Sequence, residues 1–176
     1  MEITRCAWCE KYDLYRNYHD QEWGKPIYDD ETIFEFLILE SFQAGLSWYT
    51  ILSKRENFRV AFDHFDYQKI AQYSEEKVEE LIQNTGIIRN RLKILATINN
   101  AQKFMEVQKE FGSFSKYIWG FVNHEPIINR PKTLKEVPAT TEISDALAKD
   151  LKKRGFKFMG STVVYAHMQA TGMVND

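Results

Sequence analysis

The sequence has few cysteines and no long apolar run. Cys6 and Cys9 are its only cysteines among 176 residues, so no disulfide framework is available and a reducing cytoplasm is the expected compartment. No apolar stretch approaches the roughly 20 residues of a membrane-spanning helix. The first residues, Met1 to Tyr12, also lack the apolar core of a signal peptide. We therefore expect a soluble protein with no membrane partner.

The chain also lacks an excess of charge of either sign. The formal net charge is -2 and the isoelectric point is near 6.1. A broad nucleic-acid footprint usually makes a domain basic, so the composition argues mildly against one but leaves room for a local basic patch. Aromatic residues, by contrast, make up 14% of the chain. Three of the four tryptophans, Trp8, Trp23 and Trp48, lie near the N-terminus.

Apolar residues recur with helical spacing over almost the whole chain, and no segment alternates convincingly with a period of two, which predicts an all-α protein. One predicted helix places Ile33, Phe36, Leu37 and Glu40 along a single stripe. The longest predicted helix runs from about Asn90 to Glu110, with core positions at Ile94, Leu95, Ile98, Ala101 and Met105. An irregular connection is expected from Asn123 to Thr140. The expected N-caps are Asp29 or Asp30, Ser47, Asp66, Ser74, Ser113 and Thr141.

One acid, Glu40, lies on the apolar stripe of its predicted helix, three and four residues after Leu37 and Phe36. A buried acid is costly unless it is paired, hydrogen-bonded or neutral. A structural acid bound to a backbone amide or an arginine would show this pattern. A carboxylate that lines a cleft and stabilises a developing cation would show it equally well. The residues alone leave both interpretations open.

Five aromatic residues share the N-terminal third with this acid: Trp8, Tyr15, Tyr18, Trp23 and Trp48. Packing in the core would account for all of them. Grouped around a buried acid, however, they would form an electron-rich box that favours a flat cationic ligand through stacking and cation–π attraction.

Two segments are candidates for contact with a phosphate backbone. Asn84 to Arg91 lies between two predicted helices, where Gly86 can adopt a positive φ and Arg89 and Arg91 add positive charge. A helix–hairpin–helix has this form, and so does an ordinary turn with solvated arginines. Lys152 to Phe158 interleaves basic and aromatic residues. It is either a solvated helix end or a second phosphate contact.

Cys6, Cys9 and His19 form a possible zinc site, because a Cys-x-x-Cys spacing suits zinc and His19 can supply a third ligand. No fourth ligand is evident. The spacings of the remaining histidines, His64, His124 and His167, suggest no further zinc ligand. We interpret His167 as a core or surface residue.

Several blocks of the chain together resemble the 3-methyladenine DNA glycosylase I family. Two blocks are highly specific, the Tyr-His-Asp-x-Glu-Trp-Gly segment ending at Gly24 and the segment from Leu39 to Trp48. The resemblance covers essentially the whole chain. It runs through Cys6-x-Trp8, Tyr15 to Gly24, Leu39 to Trp48, Lys54 to Glu56, Gly86 to Arg89, Phe121 to Asn123, Ser144 to Leu147 and Lys152 to Gly160.

The resemblance implies one glycosylase unit over residues 1–176 with a helix–hairpin–helix glycosylase fold and a divergent hairpin. The helix–hairpin–helix itself is expected within about residues 66–110. It implies that a methylated adenine is flipped out of DNA and its N-glycosidic bond hydrolysed. Glu40, as the catalytic-site carboxylate, would contact the base mainly to recognise it. The implied base-binding residues are Tyr18, Trp48, Trp8, Tyr15 and Trp23, and the implied DNA-binding residues are Gln43, Leu46, Gly86, Ile88, Arg89 and Arg91.

A structural zinc ion is also implied, in a clip formed by about residues 1–28 and the C-terminal end. Cys6 and His19 match two of the family's ligands. The other two, a His and a Cys, follow the segment that matches Gly172 to Asp176, and this sequence ends at Asp176. Zinc is therefore expected with half of its ligands identified.

The expected partners are double-stranded alkylated DNA and free 3-methyladenine as product, and we expect a monomer. A non-enzymatic helix–hairpin–helix module that binds DNA or senses damage is the main alternative. It would retain Gly86, Arg89 and Arg91 but would not need Glu40 beside Trp48. A zinc-dependent structural protein is a third possibility.

Overall fold

A computed structural model describes residues 4–176, which form ten α-helices and one pair of two-residue parallel strands. Residues 1–3 of the expected N-terminal clip lie outside the described residues. The strands are β1 (Ile127–Ile128) and β2 (Val174–Asn175). The helices are α1 (Asp13–Gln21), α2 (Asp30–Phe42), α3 (Trp48–Ser53), α4 (Arg55–Ala61), α5 (Tyr67–Ile70), α6 (Glu75–Gln83), α7 (Arg91–Phe111), α8 (Phe114–Trp119), α9 (Glu142–Lys153) and α10 (Ser161–Ala170).

The predicted helix starts are confirmed, because each depends on one side chain and its next few residues. In every case the capping side chain accepts a hydrogen bond from a backbone N–H in the first turn. The long helix α7 begins one residue later than expected, after Asn90, whose side chain accepts from the Lys93 N–H. The confirmed caps are Asp29, Ser47, Asp66, Ser74, Ser113 and Thr141.

Helix α2 lies at the centre of the molecule. Every residue from Ile33 to Phe42 is buried, because α3, α7, α8 and α10 all pack against this helix. The predicted single apolar stripe is therefore wrong, since a helix covered on all sides is apolar all round. Two acids, Glu35 and Glu40, are buried within it.

The core positions of α7 are only partly as predicted. Ile94 and Ala101 are fully buried, but Leu95 is 44% exposed. Each residue turns about 100° around a helix axis, so a residue next to Ile94 leaves the core stripe. Thr97 and Phe104 occupy the buried face instead, at positions three and ten residues after Ile94.

The end of α10 and the residues after it are tied to two earlier parts of the chain, to β1 by a short strand pair and to the segment after α1 by backbone hydrogen bonds. β1 falls in the connection that was expected to be irregular and pairs with β2, which follows α10; both strands are too short to show an alternating pattern. Gly24 and Ile27 donate backbone hydrogen bonds to Ala170 and Thr171. Gly172 has φ +75°, and a Cβ there would lie 2.4 Å from the backbone nitrogen of the neighbouring chain segment at Pro26. These contacts hold α1 and α10 on the same side of α2.

Over the described residues 4–176, no helix combines the length and apolar character that a membrane span requires.

Candidate active site

A cavity of about 270 Å³ opens between α1, α2, α3 and α10. This volume is at the lower end of the range for small-molecule sites and suits one compact planar ligand. All the residues predicted to bind a base line it, together with Glu40 and Gln43. The full lining is Trp8, Tyr15, Tyr18, Trp23, Glu40, Gln43, Trp48, Ala166, Gln169 and Ala170.

The aromatic residues form the walls of the cavity. Trp8 lies edge-on to Tyr15, with ring centroids 5.1 Å apart, and edge-on to Trp23 at 5.3 Å. The rings of Tyr18 and Trp48 are 5.9 Å apart and tilted by 52°. The rings therefore pack against one another and also line a cavity, as both interpretations of the sequence require.

Glu40 is 3% exposed, and its Oε2 lies 2.8 Å from Nδ1 of His167 on α10. No other hydrogen bond reaches the Glu40 carboxylate from the described residues, which leaves Oε1 without a partner. Burial raises the pKa of Glu40, and the charge of His167 and its hydrogen bond oppose this shift. The pairing explains why a lone acid is tolerated in the centre of the molecule.

Tyr18 brings a second polar group to the cavity. Its side chain is 4% exposed, and its hydroxyl has no hydrogen-bond partner within residues 4–176. Burial raises the pKa of Tyr18 well above its ordinary value, and the negative charge of Glu40 adds to this shift. The phenol therefore stays neutral and keeps its proton. Because buried hydroxyls almost always have a partner, this donor is suited to a ligand atom.

Helix α10 supplies the part of the site that the sequence did not reveal. Ala166, Gln169 and Ala170 line the cavity at helical spacing, and His167 holds Glu40 from the same helix. The interpretation of His167 as a core or surface residue missed this role. The spacing of 166, 169 and 170 could have shown a common face, but nothing local indicates that this face meets α2.

Gln43 lines the cavity, and the residues from Ala44 to Ser47 beside it are exposed. Gly45 has φ +79°, and the Leu46 N–H donates to the Gln43 carbonyl, which closes a tight turn. Leu46 is 38% exposed at this turn. The turn therefore sits at the rim of the cavity, where a side chain that enters a duplex would be required.

The Asn84–Asn90 connection does not line the cavity, and Gly86 does not use the positive φ that is open to a glycine. A Cβ there would lie 3.1 Å from the Asn57 side chain, so any larger residue would make a tight contact that Asn57 has to relieve. Arg91 forms an ion pair with Glu79, Arg89 is exposed, and Ile88 packs against the core.

The zinc ligands expected at the N-terminus do not form a complete metal site within the part of the chain that the structure describes. The His19 ring is 5.4 Å from the Trp8 ring, and the Cys9 thiol donates to the Cys6 carbonyl at 3.1 Å. Within residues 4–176, no three His, Cys, Asp or Glu residues are grouped to hold a metal. A structural zinc site needs four ligands, so Cys6 and His19 do not suffice on their own.

Comparison with known proteins identifies the family of the chain. The model of the methyladenine glycosylase family matches residues 8–176. The chain belongs to the methyladenine glycosylase family. DNA-3-methyladenine glycosylase 1 of Escherichia coli K12 is 51% identical over 174 residues, covering 99% of this chain and 93% of that protein. DNA-3-methyladenine glycosylase of Haemophilus influenzae is 49% identical, covering 98% and 94%.

Solved structures of methyladenine glycosylases have the same fold. A crystal structure of 3-methyladenine DNA glycosylase I superposes with a TM-score of 0.95 at 51% identity, covering 98% of this chain and 95% of that one. The Staphylococcus aureus enzyme, whose structure addresses 3-methyladenine recognition, has a TM-score of 0.94 at 37% identity, covering 97% and 91%. The mostly helical glycosylase fold expected from the resemblance is confirmed.

Proposed function

We propose that this methyladenine glycosylase hydrolyses the N-glycosidic bond of 3-methyladenine in alkylated double-stranded DNA and releases the free base. The observation that carries the proposal is the single cavity that combines aromatic walls, the buried Glu40 carboxylate and the unpartnered Tyr18 hydroxyl. The names of the relatives, which are about half identical over nearly their whole length, support the same substrate.

The chemistry of the lesion explains why aromatic walls are useful. Methylation at N3 gives adenine a positive charge and weakens its glycosidic bond, so the base leaves as a neutral molecule and needs little acid catalysis. Selectivity then depends on recognition. Each aromatic ring over a desolvated cation contributes on the order of 1–2 kcal/mol, and a damaged base costs less to flip out of the duplex.

Glu40 supplies the charge complement to this base. Because His167 occupies Oε2, the other carboxylate oxygen is the acceptor for the edge of the base, and the Tyr18 hydroxyl is the donor. Glu40 is the only acid that residues 4–176 contribute to the lining of the cavity. This arrangement does not support the two-carboxylate mechanism of most glycoside hydrolases, so the role of Glu40 is mainly recognition.

The decisive experiment is a base-release assay on methylated double-stranded DNA, with the released bases identified by chromatography. We expect 3-methyladenine to be released and 7-methylguanine to stay bound to the DNA. Equal release of the two bases would contradict the narrow specificity. Binding of the DNA without any release would favour a non-enzymatic damage-sensing module.

The predicted DNA contacts at Gly86, Ile88, Arg89 and Arg91 remain proposals, and a second hairpin has stronger support. The connection from Arg154 to Gly160 joins α9 to α10 and contains Gly155 at φ +95°. Beside it, a shallow cavity of about 590 Å³ is lined by three lysines and no acid, namely Lys149, Lys152 and Lys157. Neutralising one phosphate contact should reduce the salt dependence of DNA affinity by about one unit of slope, so Lys157→Ala and Arg89→Ala distinguish the two hairpins.

A structural zinc ion is a separate proposal, with Cys6 and His19 as two of its ligands. Bound zinc would tie the N-terminal segment to the rest of the chain and would take no part in the hydrolysis. Metal analysis of the purified protein tests this directly. About one zinc ion per chain, lost in Cys6→Ser, would support the site, and a metal-free protein with full thermal stability would contradict it.

We also propose that the enzyme is a cytoplasmic monomer, which sedimentation analysis and cell fractionation can check.

A further inference from the structure

Lys93 is a buried lysine for which the mechanism above has no use. It lies in the first turn of α7 and is 7% exposed. Its Nζ donates hydrogen bonds to the carbonyls of Phe42 at 2.8 Å and Ala44 at 2.9 Å. None of the ion pairs within residues 4–176 includes it. Lysines are rarely buried without an acidic partner. Among the described residues, Lys93 has two backbone carbonyls in place of one.

The two carbonyls belong to the end of α2 and the turn that follows it. Phe42 is the last residue of α2, and Ala44 is the first exposed residue of the turn that carries Gly45 and Leu46. The carbonyls at the end of a helix have no partner within the helix and carry partial negative charge, which a cation stabilises. Lys93 therefore fixes both where α2 ends and how the turn leaves it.

The position of Lys93 in α7 makes the contact rigid. Its backbone N–H donates to the Asn90 side chain that caps α7, and its carbonyl accepts from the Thr97 hydroxyl. Burial lowers the pKa of the Lys93 ammonium, which shows that the contact is made at some cost to the charged form. A charged donor forms stronger hydrogen bonds than a neutral one and can hold two carbonyls at once.

We propose that Lys93 is a positioning residue for base flipping, which holds the turn Ala44–Leu46 in the orientation that brings Leu46 into the duplex. This inference rests on the proposed function. Lys93 does not line the base cavity, so it acts through the turn and leaves the binding of the extruded base unchanged. Displacement of a positioning element by about 1 Å can cost on the order of 100-fold in rate.

Lys93→Met tests the proposal, because methionine keeps most of the chain length and removes the charge and the donors. We expect single-turnover release of 3-methyladenine from duplex DNA to fall by about 10- to 100-fold. Calorimetric binding of free 3-methyladenine should change by less than about 3-fold, which is within the effect of a remote substitution. Lys109→Met, at an exposed lysine near the end of the same helix, is the matched control and should change neither quantity.

A double-mutant cycle with Leu46→Ala separates positioning from a general loss of stability. If Lys93 acts through Leu46, the loss in Lys93→Met/Leu46→Ala should equal that of the worse single variant. Additive losses would overturn the inference, as would an equal fall in free-base binding and DNA excision, or no fall in excision. If Lys93→Met does not fold, Lys93→Gln keeps one donor and serves for the same cycle. The wild-type protein in the same assay tests the proposed function separately. If it released no 3-methyladenine, the proposed function itself would be wrong.

Discussion

Helix α2 carries two buried carboxylates, Glu35 and Glu40, whose surroundings differ although they are five residues apart. Glu35 is 9% exposed and Glu40 is 3% exposed. Arg59 donates to Glu35 Oε1 at 2.6 Å, and Arg55 donates to the same oxygen at 3.2 Å. Among the described residues, Glu40 has His167 as its single side-chain partner. Burial raises the pKa of both acids, but the two arginines reverse the shift at Glu35, whereas His167 does not reverse it at Glu40.

The difference shows that partners, not burial, separate a structural acid from a functional one. Arg55 also donates to both oxygens of Glu22, at 2.7 and 2.6 Å, and so links the end of α1 to α2 and α4. Glu35 is thus the centre of a network that holds α1, the helix that carries Tyr18, in place. Glu40 keeps one oxygen without a partner beside the cavity, and that oxygen is available to a ligand.

Matched substitutions to glutamine provide the strongest test of this comparison. Glu40→Gln should lower single-turnover release of 3-methyladenine by about 100- to 1000-fold, because it removes a preorganised charge next to a cationic base. It should weaken binding of the free base as well. Glu35→Gln should change excision by less than about 3-fold and should instead lower the free energy of unfolding by about 1–3 kcal/mol, since Arg55 and Arg59 lose their charged acceptor.

Two outcomes would break the comparison. Loss of excision by Glu40→Gln with intact binding of free 3-methyladenine would assign Glu40 a catalytic role and contradict recognition. Loss of excision by Glu35→Gln without a change in stability would show that Glu35 is not merely structural.

The aromatic wall beside Glu40 should produce the next largest effect. Trp48→Ala should weaken calorimetric binding of 3-methyladenine by about 5- to 30-fold, which corresponds to the 1–2 kcal/mol of one cation–π contact. The melting temperature should fall only slightly, because Trp48 is only partly buried. Tyr28→Ala removes an aromatic ring that is 52% exposed and lies outside the cavity, and it should leave binding unchanged. Equal binding by Trp48→Ala and wild type would contradict stacking on this ring.

The sequence alone identified Glu40 as a buried acid of interest but did not identify Glu35. Glu40 and Trp48 could be identified as site residues because helical spacing and the family motif both depend on residues that are close together in the sequence. Arg55 lies 20 residues after Glu35, and His167 lies 127 residues after Glu40. A pairing across such distances depends on how helices pack, which local periodicity does not determine.

The same limit explains the incorrect expectations elsewhere. Helix caps such as Ser47 were predicted correctly because a cap depends on its next three residues. Leu95 was placed in the core because it is apolar, although only packing decides which side of α7 is covered. Gly86 could have adopted a positive φ, but it does not, and its small size matters instead because the Asn57 side chain lies close to it.

The dependence of stability on pH should show the smallest effect, with opposite signs for the two acids. Both start from an ordinary pKa of 4.5, which is lowered in folded Glu35 and raised in folded Glu40. Glu35 therefore contributes stability that is present above pH 4.5 and is lost as the pH falls through its folded pKa. Glu40 binds its proton more tightly in the folded state, so its ionisation reduces stability as the pH rises above 4.5.

Urea unfolding of wild type, Glu35→Gln and Glu40→Gln between pH 3 and pH 8 measures both signs, at about 1.4 kcal/mol for each unit of pKa shift. Relative to wild type, Glu35→Gln should become less stable as the pH rises from 3 to 5, because only the wild type gains the ion pairs with Arg55 and Arg59. Glu40→Gln should become relatively more stable as the pH rises above 4.5. Parallel curves for the two variants would mean that the acids have similar surroundings, and the distinction between a structural and a functional carboxylate on α2 would then be wrong.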